Sequence, residues 1–347
     1  MPTYNPLFSR SPFFEQQTGT AAQEVKVELY IWNDPASEPA TPTYTLSKPI
    51  PSANALTVTF DVSPYIREYI KHTNYTEVTT DTAANVNEYC RCTIKTYLDS
   101  VLQLTSYKIC FNGYGYFEDG YNPTLTTTVP PPHLTEGTYY VSDTGNTGGL
   151  YYNDNQVVTW EARYTGLSTA GVTLITLANE VGYIPYVHSS YVGEGNKLEI
   201  IRNTVVIATY TFEEVCEQKY TIYNCDFVNR YGAWQRLIFF KASQKDMAMK
   251  NTEFNLMPDS VNYNTYDNIK QSFNTNAQES ITVNTGWVVE GYSEVMKELL
   301  LSEKILLNNE PVKLTTKNVR LQTHLNDKTI NYNVKFDYAN EMLNYII

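Results

Sequence analysis

The sequence is short of positive charge. Its 25 Lys and Arg stand against 37 Asp and Glu, a net charge of −12, and no basic tract interrupts the chain. A phosphate backbone is gripped by clustered Lys and Arg, so no direct nucleic-acid binding is expected. Charged residues of both signs reach only 18%, below the roughly 25% of ordinary soluble domains. No apolar run approaches the ~18 residues that span a bilayer, so no membrane insertion is expected. Residues 1–17, with Pro2, Asn5, Pro6, Arg10 and Glu15, hold no continuous apolar core of the kind a signal peptide needs. Maturation in the cytoplasm, with reduced thiols, is the expectation.

The residues that carry chemistry are scarce too, with five Cys and four His. Cys90 and Cys92 are separated by one residue, Cys110 stands alone, and Cys216 and Cys225 are too far apart for a zinc knuckle. On a strand, Cys90 and Cys92 would point the same way, as buried thiols. His72, His133, His188 and His324 form no metal-binding spacing. There is no G-x-S-x-G elbow, and Gly113, Gly115 and Gly120 do not make a phosphate-binding loop. The adjacent acids Glu118-Asp119 and Glu213-Glu214 would point to opposite faces of a strand, so neither pair presents two carboxyls to one glycoside. Asp143 and Asn146 lack the ladder of a calcium loop. The reading is a protein without catalytic residues, cofactor or metal.

What is present is tyrosine. The 30 Tyr outnumber all Lys and Arg together, which suits either wet protein contacts or a β-rich fold. Period-two alternation marks strands at residues 25–32, 56–62 and 329–338, with shorter ones at 44–46, 90–97, 104–111, 220–227, 237–241, 312–314 and 319–325. Between 133 and 215, short strands at 138–141, 157–164, 172–177, 197–201 and 205–210 alternate with turn-rich stretches, as in a sandwich. Ser63-Pro64 predicts a helix start, with Tyr65/Tyr69 and Ile66/Ile70 repeating at i, i+4. A second helix is expected over 293–302, where Leu299, Leu300 and Leu301 face more than one side and predict burial between layers. Residues 244–280 read as polar with strand-like patches.

The expected fold is mainly β, with two or more β-sandwich-like domains and two short helices. The segments are an extended N-terminal arm at 1–23, a β-domain at 24–132 with a helix at 63–72, a central β-sandwich at 133–215, which could be an insertion, and a β-rich C-terminal domain at 216–347. Phe8, Phe13 and Phe14 give the arm apolar side chains to lay on an adjacent subunit. Tyr332, Phe336 and Tyr338 line a C-terminal strand able to close a sheet or pair with a neighbouring copy. A rival reading gives Tyr139, Tyr140, Tyr151, Tyr152 and Trp160 to sugar stacking on the central module.

Several blocks carry a resemblance. They are SPFFEQ (11–16), FDVSPYIREYI (60–70), DGYNP (119–123), CDFVNRYGAWQRLIFFKAS (225–243), SITVNTGWVVEGYSEVMKELLLSEKILL (280–307) and HLNDKTINYNVKFDYAN (324–340). In order and spacing they resemble a family of tailed-phage structural proteins, largely uncharacterised, and leave most of 133–215 uncovered. The resemblance implies a non-enzymatic virion protein of a tail, baseplate or neck ring, made in the host cytoplasm. Its partners would be copies of itself and other tail or neck proteins. The alternative is a glycan- or receptor-binding module on the virion surface. The resemblance brings no catalytic residues.

Overall fold

The computed structural model describes residues 4–20, 23–51, 55–120, 122, 134, 137–142, 146–152, 159–165, 172–177, 179–187, 196–215, 219–257, 261, 266, 269–318 and 329–344. The fold is mainly β, with two α-helices among these residues. The chain forms two compact units. The first takes Met1–Cys216, Asp226–Leu237 and Gly291–Lys304; the second takes Glu217–Cys225, Ile238–Glu290 and Ile305–Ile347.

The first unit opens with β1 (Asn5–Phe8), β2 (Phe14–Gly19), β3 (Glu24–Trp32), β4 (Tyr44–Pro49), β5 (Leu56–Asp61), α1 (Ser63–Arg67), β6 (Thr82–Ala83), β7 (Tyr89–Leu98) and β8 (Val101–Phe111). One sheet runs β1-β8-β7-β3-β4, and β2 pairs with β5 in a separate ribbon. Alternation decides which face is buried: Val25, Val27, Leu29 and Ile31 of β3 point inward with Cys90, Cys92 and Ile94 of β7, and the register sets Leu29 against Ile94 and Ile31 against Cys92. Val58 and Phe60 of β5 and Ile66 of α1 belong to the same core. Cys90 and Cys92 thus share one face, and Cys110 stands directly opposite Cys90. These three and Cys225 are free, buried thiols, and Cys216 lies outside the described residues.

The expected arm is part of this body. β1 pairs in parallel with β8, Leu7 opposite Cys110, and Leu7 and Phe8 are each 1% exposed. Buried Asn122 fastens it: its side chain accepts from the Phe8 N–H (3.1 Å) and donates to the carbonyls of Phe8 (2.7 Å) and Ser11 (3.1 Å). The helix after β5 is shorter than expected. Beyond Arg67 the bonds tighten to i→i+3, Tyr69 to Ile66 and Ile70 to Arg67. Ser63 makes no cap bond; its hydroxyl instead accepts the Phe13 N–H at 2.7 Å.

Next come β9 (Gly137–Val141), β10 (Asn146–Tyr152), β11 (Trp160–Thr165), β12 (Val172–Thr176), β13 (Val181–Val187), β14 (Asn196–Arg202) and β15 (Val205–Glu214). They form two sheets, β10-β13-β6 and β12-β11-β14-β15-β9. Side chains of both line a shared apolar interior, where Tyr186 stacks on Phe212 with centroids 3.7 Å apart. The central sandwich therefore borrows β6 from residues expected to belong to the preceding domain. Further ties are Tyr151 Oη to Asp81 (2.8 Å), Tyr183 Oη to Glu88 (2.8 Å) and Tyr152 Oη to the Tyr4 carbonyl (2.9 Å). These bonds explain why residues on both sides of position 133 fall in one compact unit.

The remaining elements are β16 (Tyr223–Val228), β17 (Trp234–Phe239), β18 (Gln244–Asn255), β19 (Lys270–Val289), α2 (Tyr292–Leu300), β20 (Ile305–Leu307), β21 (Glu310–Leu314) and β22 (Thr329–Tyr338). Between β16 and β17, Gly232 sits at φ +80°, its N–H bonded to the Asn229 carbonyl at 3.0 Å, while Asn229 Oδ1 accepts from Tyr231 and Ala233. A Cβ on Gly232 would lie 2.6 Å from the Asn112 backbone, so this turn requires glycine twice over. Helix α2 buries Tyr292, Val295, Met296 and Leu299, but Leu301 faces solvent. The Leu299–Leu301 triplet is thus covered on one side only. In the second unit the sheet runs β20-β21-β22-β19-β18, with Ile281, Val283, Val334 and Phe336 fully buried and Phe336 edge-on to Phe239 at 6.1 Å. The strand expected at 319–325 lies outside the described residues.

Candidate functional site

The residues read from the sequence as contact surfaces are, for the most part, used by the chain itself. Phe8 is buried and packs at 6.1 Å on Tyr231. Phe13 is half-buried on the β3/β7 core with the Lys108 ammonium 4.8 Å above its ring. Phe14 is exposed, at 56%. Tyr332 and Phe336 are buried and Tyr338 half-buried; β19 accompanies β22 from Thr329 to Asp337, and β21 flanks its other side at Phe336–Tyr338. The C-terminal strand is therefore an inner strand of its own sheet at Phe336–Tyr338, where it presents no free edge. Of the five rings assigned to sugar, Tyr139, Tyr151, Tyr152 and Trp160 are buried, and Tyr140 is half-buried 5.6 Å from Tyr292. Adjacent strand residues point to opposite faces, so these rings do not form one stacking surface: Tyr139 meets Tyr210 and Phe212 whereas Tyr140 meets Tyr292, and the Tyr151 and Tyr152 hydroxyls bond Asp81 and the Tyr4 carbonyl.

The surface that is left open lies elsewhere. β18 and β19 pair from Gln244 opposite Thr282 out to Asn255 opposite Lys270. β22 accompanies β19 from Ser280 onward, and the segment 341–343 braces the ribbon at Asn276 and Ala277 through bonds of 2.7–3.0 Å. Beyond that brace the ribbon has only two strands among the described residues. Cross-strand partners share a face, so the register puts Phe254, Leu256, Ile269 and Phe273 together. The rings of Phe254 and Phe273 meet edge-on at 5.5 Å. All four remain exposed, Phe273 at 49%. The other face carries Glu253, Asn255, Lys270 and Ser272, with Glu253 and Lys270 ion-paired at 2.5 Å. Nearer the sheet, Met247 and Met249 are exposed as well, Met249 at 72%. Such a ribbon is amphipathic, yet its apolar face meets no core among the described residues. The sequence does hold part of the signal, Phe254 and Leu256 two residues apart and Ile269 and Phe273 four apart, but Gln271 interrupts the second alternation and polar residues mask the rest.

The titratable groups of the first unit are internal. Glu88 is buried, and burial raises its carboxyl to about 7 although the Tyr183 hydroxyl, which donates to it, pulls the other way. His72 is half-buried with its ring 5.7 Å from Trp234; burial lowers its imidazole to about 4, opposed by its 3.0 Å bond to the Gly232 carbonyl. Arg236 clamps buried Asp226 through two bonds of 2.6 and 3.0 Å, reaches Glu77, and lies 4.7 Å from the Tyr75 ring centroid. Arg236 and Asp226 are thus a buried charge pair, whereas Glu88 and His72 have neutral hydrogen-bond partners. Among the described residues no three of His, Cys, Asp and Glu gather as a metal site, and no helix is long and apolar enough to cross a membrane. His133, His188, His324 and Asp143 lie outside the described residues. No family model matches the chain, and no curated protein matches it.

Proposed function

We propose that the chain is a non-enzymatic structural protein of a tailed-phage particle, one of several copies forming part of a tail, baseplate or neck ring. The observation that carries the reading is the β18–β19 ribbon, whose apolar face a lone subunit leaves in water. Exposed apolar patches on soluble proteins mark contact surfaces, and β18, a 12-residue edge strand, is open to pairing with another chain. The particle itself is suggested by the ordered sequence blocks that resemble phage structural proteins. In this reading the ribbon of each copy lies on the next, a head-to-tail contact that closes into a ring when the rotation allows. The rival reading, a glycan-binding face on the central sandwich, has less support, because Tyr139, Tyr151, Tyr152 and Trp160 are buried and Tyr140 is half-buried.

Quantitative mass spectrometry of purified particles tests the proposal. A ring component is expected at a small fixed number, on the order of six or twelve copies. Hundreds of copies would replace the ring with a tube or shell, and absence from mature particles would sink the reading altogether.

A further inference from the structure

In the second unit, β19 loses register with β22 between Asn284 and Trp287. Asn284 faces Asn333 and Trp287 faces Asn331, so Thr285 and Gly286 together stand opposite Tyr332. A bulge of this kind bends a strand and re-aims the side chain that follows it. The bulge is held from several directions. Buried Thr285 accepts the Tyr332 N–H at 3.1 Å, and the Gly286 N–H donates to Asn284 Oδ1 at 2.6 Å. Gly286 has φ +75°, and a Cβ there would lie 2.5 Å from the Phe240 ring. The outcome is an indole 65% exposed, on a strand whose neighbouring Val283 and Val288 are fully buried.

Trp287 borders an open cleft of about 200 Å³, lined also by Tyr220, Lys241, Ala242, Asn284, Gly286 and Asn331. Tyr220 is a second exposed ring. Asn284 Nδ2 donates to Asn331 Oδ1 and Asn333 Oδ1, each at 2.7 Å. That arrangement leaves the Asn331 amide N–H groups without an acceptor among the described residues. Lys241 lies 5.6 Å from the Phe240 ring centroid and pairs with no carboxylate among the described residues. No Asp or Glu lines the cleft.

We propose that this cleft binds a pyranose unit of a glycan. Trp287 stacks on the apolar C–H face of the sugar, Tyr220 flanks it, and Asn331 and Lys241 donate to its oxygens. A lone ammonium with no acid beside it selects a sugar bearing a carboxylate over one bearing an amine. A protein partner would be anchored differently: hot-spot aromatics sit in dry, well-packed surroundings, whereas Trp287 is rimmed by amides and an ammonium. This inference is independent of the ring proposal, since neither depends on the ribbon and the cleft acting together.

Titration of the full chain with oligosaccharides of glucuronic acid, glucose and glucosamine, followed by tryptophan fluorescence and saturation-transfer NMR, tests it. Saturable binding is expected, tightest for the glucuronic acid series. Trp287→Ala should weaken it at least tenfold with an unchanged melting curve. Lys241→Gln should weaken the acidic sugar severalfold and leave the neutral one alone. Three results overturn the assignment: no saturable binding to any of the three series, equal binding by Trp287→Ala, or a Trp287→Ala effect confined to self-association.

Discussion

Two stretches of this chain are alike on paper and opposite in the structure. Residues 5–19 and residues 244–273 each pair strands and each carry several large apolar side chains in otherwise polar company. In the first, β1 docks on β8, β2 docks on β5, and Leu7 and Phe8 enter the interior. In the second, β18 and β19 satisfy one another's backbone but Phe254, Leu256, Ile269 and Phe273 stay in water. Backbone pairing is thus met in both, and the difference is whether the apolar face finds a third layer in its own chain. The second stretch is anchored where β19 enters the sheet beside β22, and beyond that its apolar face is covered by no third layer among the described residues.

The largest effect that separates the two stretches is expected at Phe8. Phe8→Ala should lower stability by about 3–5 kcal/mol, the usual loss for a buried phenyl, read as the urea midpoint of the isolated protein. Asn122→Ala should follow at about 1–3 kcal/mol, because it strands the Phe8 N–H and the Phe8 and Ser11 carbonyls. An unchanged midpoint in both variants would return residues 1–23 to the role of a dispensable arm.

A second test asks whether the first unit's interior is as dry as its packing implies. Glu88 titrates near 7 when folded against an ordinary 4.5, so the folded state holds a proton that the unfolded state releases. Stability from this group falls as pH rises from 4.5 to 7. His72 titrates near 4 when folded against 6.5, so its contribution falls as pH drops from 6.5 to 4. Between 4.5 and 6.5 the two slopes oppose and largely cancel. Each variant should therefore uncover the other group. His72→Gln is expected to lose stability as pH rises through this window, and Glu88→Gln as pH falls, each by at most about 1.4 kcal/mol per pH unit. The slope exposed by Glu88→Gln should be the shallower one, since His72 is partly reached by solvent. Urea midpoints at pH 5, 6 and 7 suffice; parallel profiles for wild type and both variants would mean that neither group is desolvated.

Much of the architecture could be read from residue order. Alternation found β3, β5, β7, β8 and β22, and Ser63-Pro64 with the i, i+4 pairs found the start of α1. Alternation also implied one face for Cys90 and Cys92, which the core confirms. It does not say against what a face is buried, and the site residues failed on that point. Phe8, Tyr151 and Trp160 look the same in sequence whether they meet a sister copy, a sugar or the far sheet. β10 was obscured by Gly148-Gly149, glycines that read as turn, and β6 is only two residues long. The ribbon escaped because its apolar face is interrupted by polar residues, Thr252 and Gln271 standing among Phe254, Leu256, Ile269 and Phe273.

The smallest expected change in stability belongs to the ribbon, and its smallness is the point. Phe254→Ser combined with Phe273→Ser removes one exposed ring contact, so the urea midpoint should move by less than about 1 kcal/mol. Sedimentation of the concentrated protein should respond far more, with self-association weakened at least tenfold relative to wild type. The contrast with Phe8 then runs in both directions: one phenyl carries the fold and leaves association alone, the other pair carries association and leaves the fold alone. A large loss of stability in the ribbon variant, with association intact, would place the third layer inside the subunit after all and remove the basis for the ring.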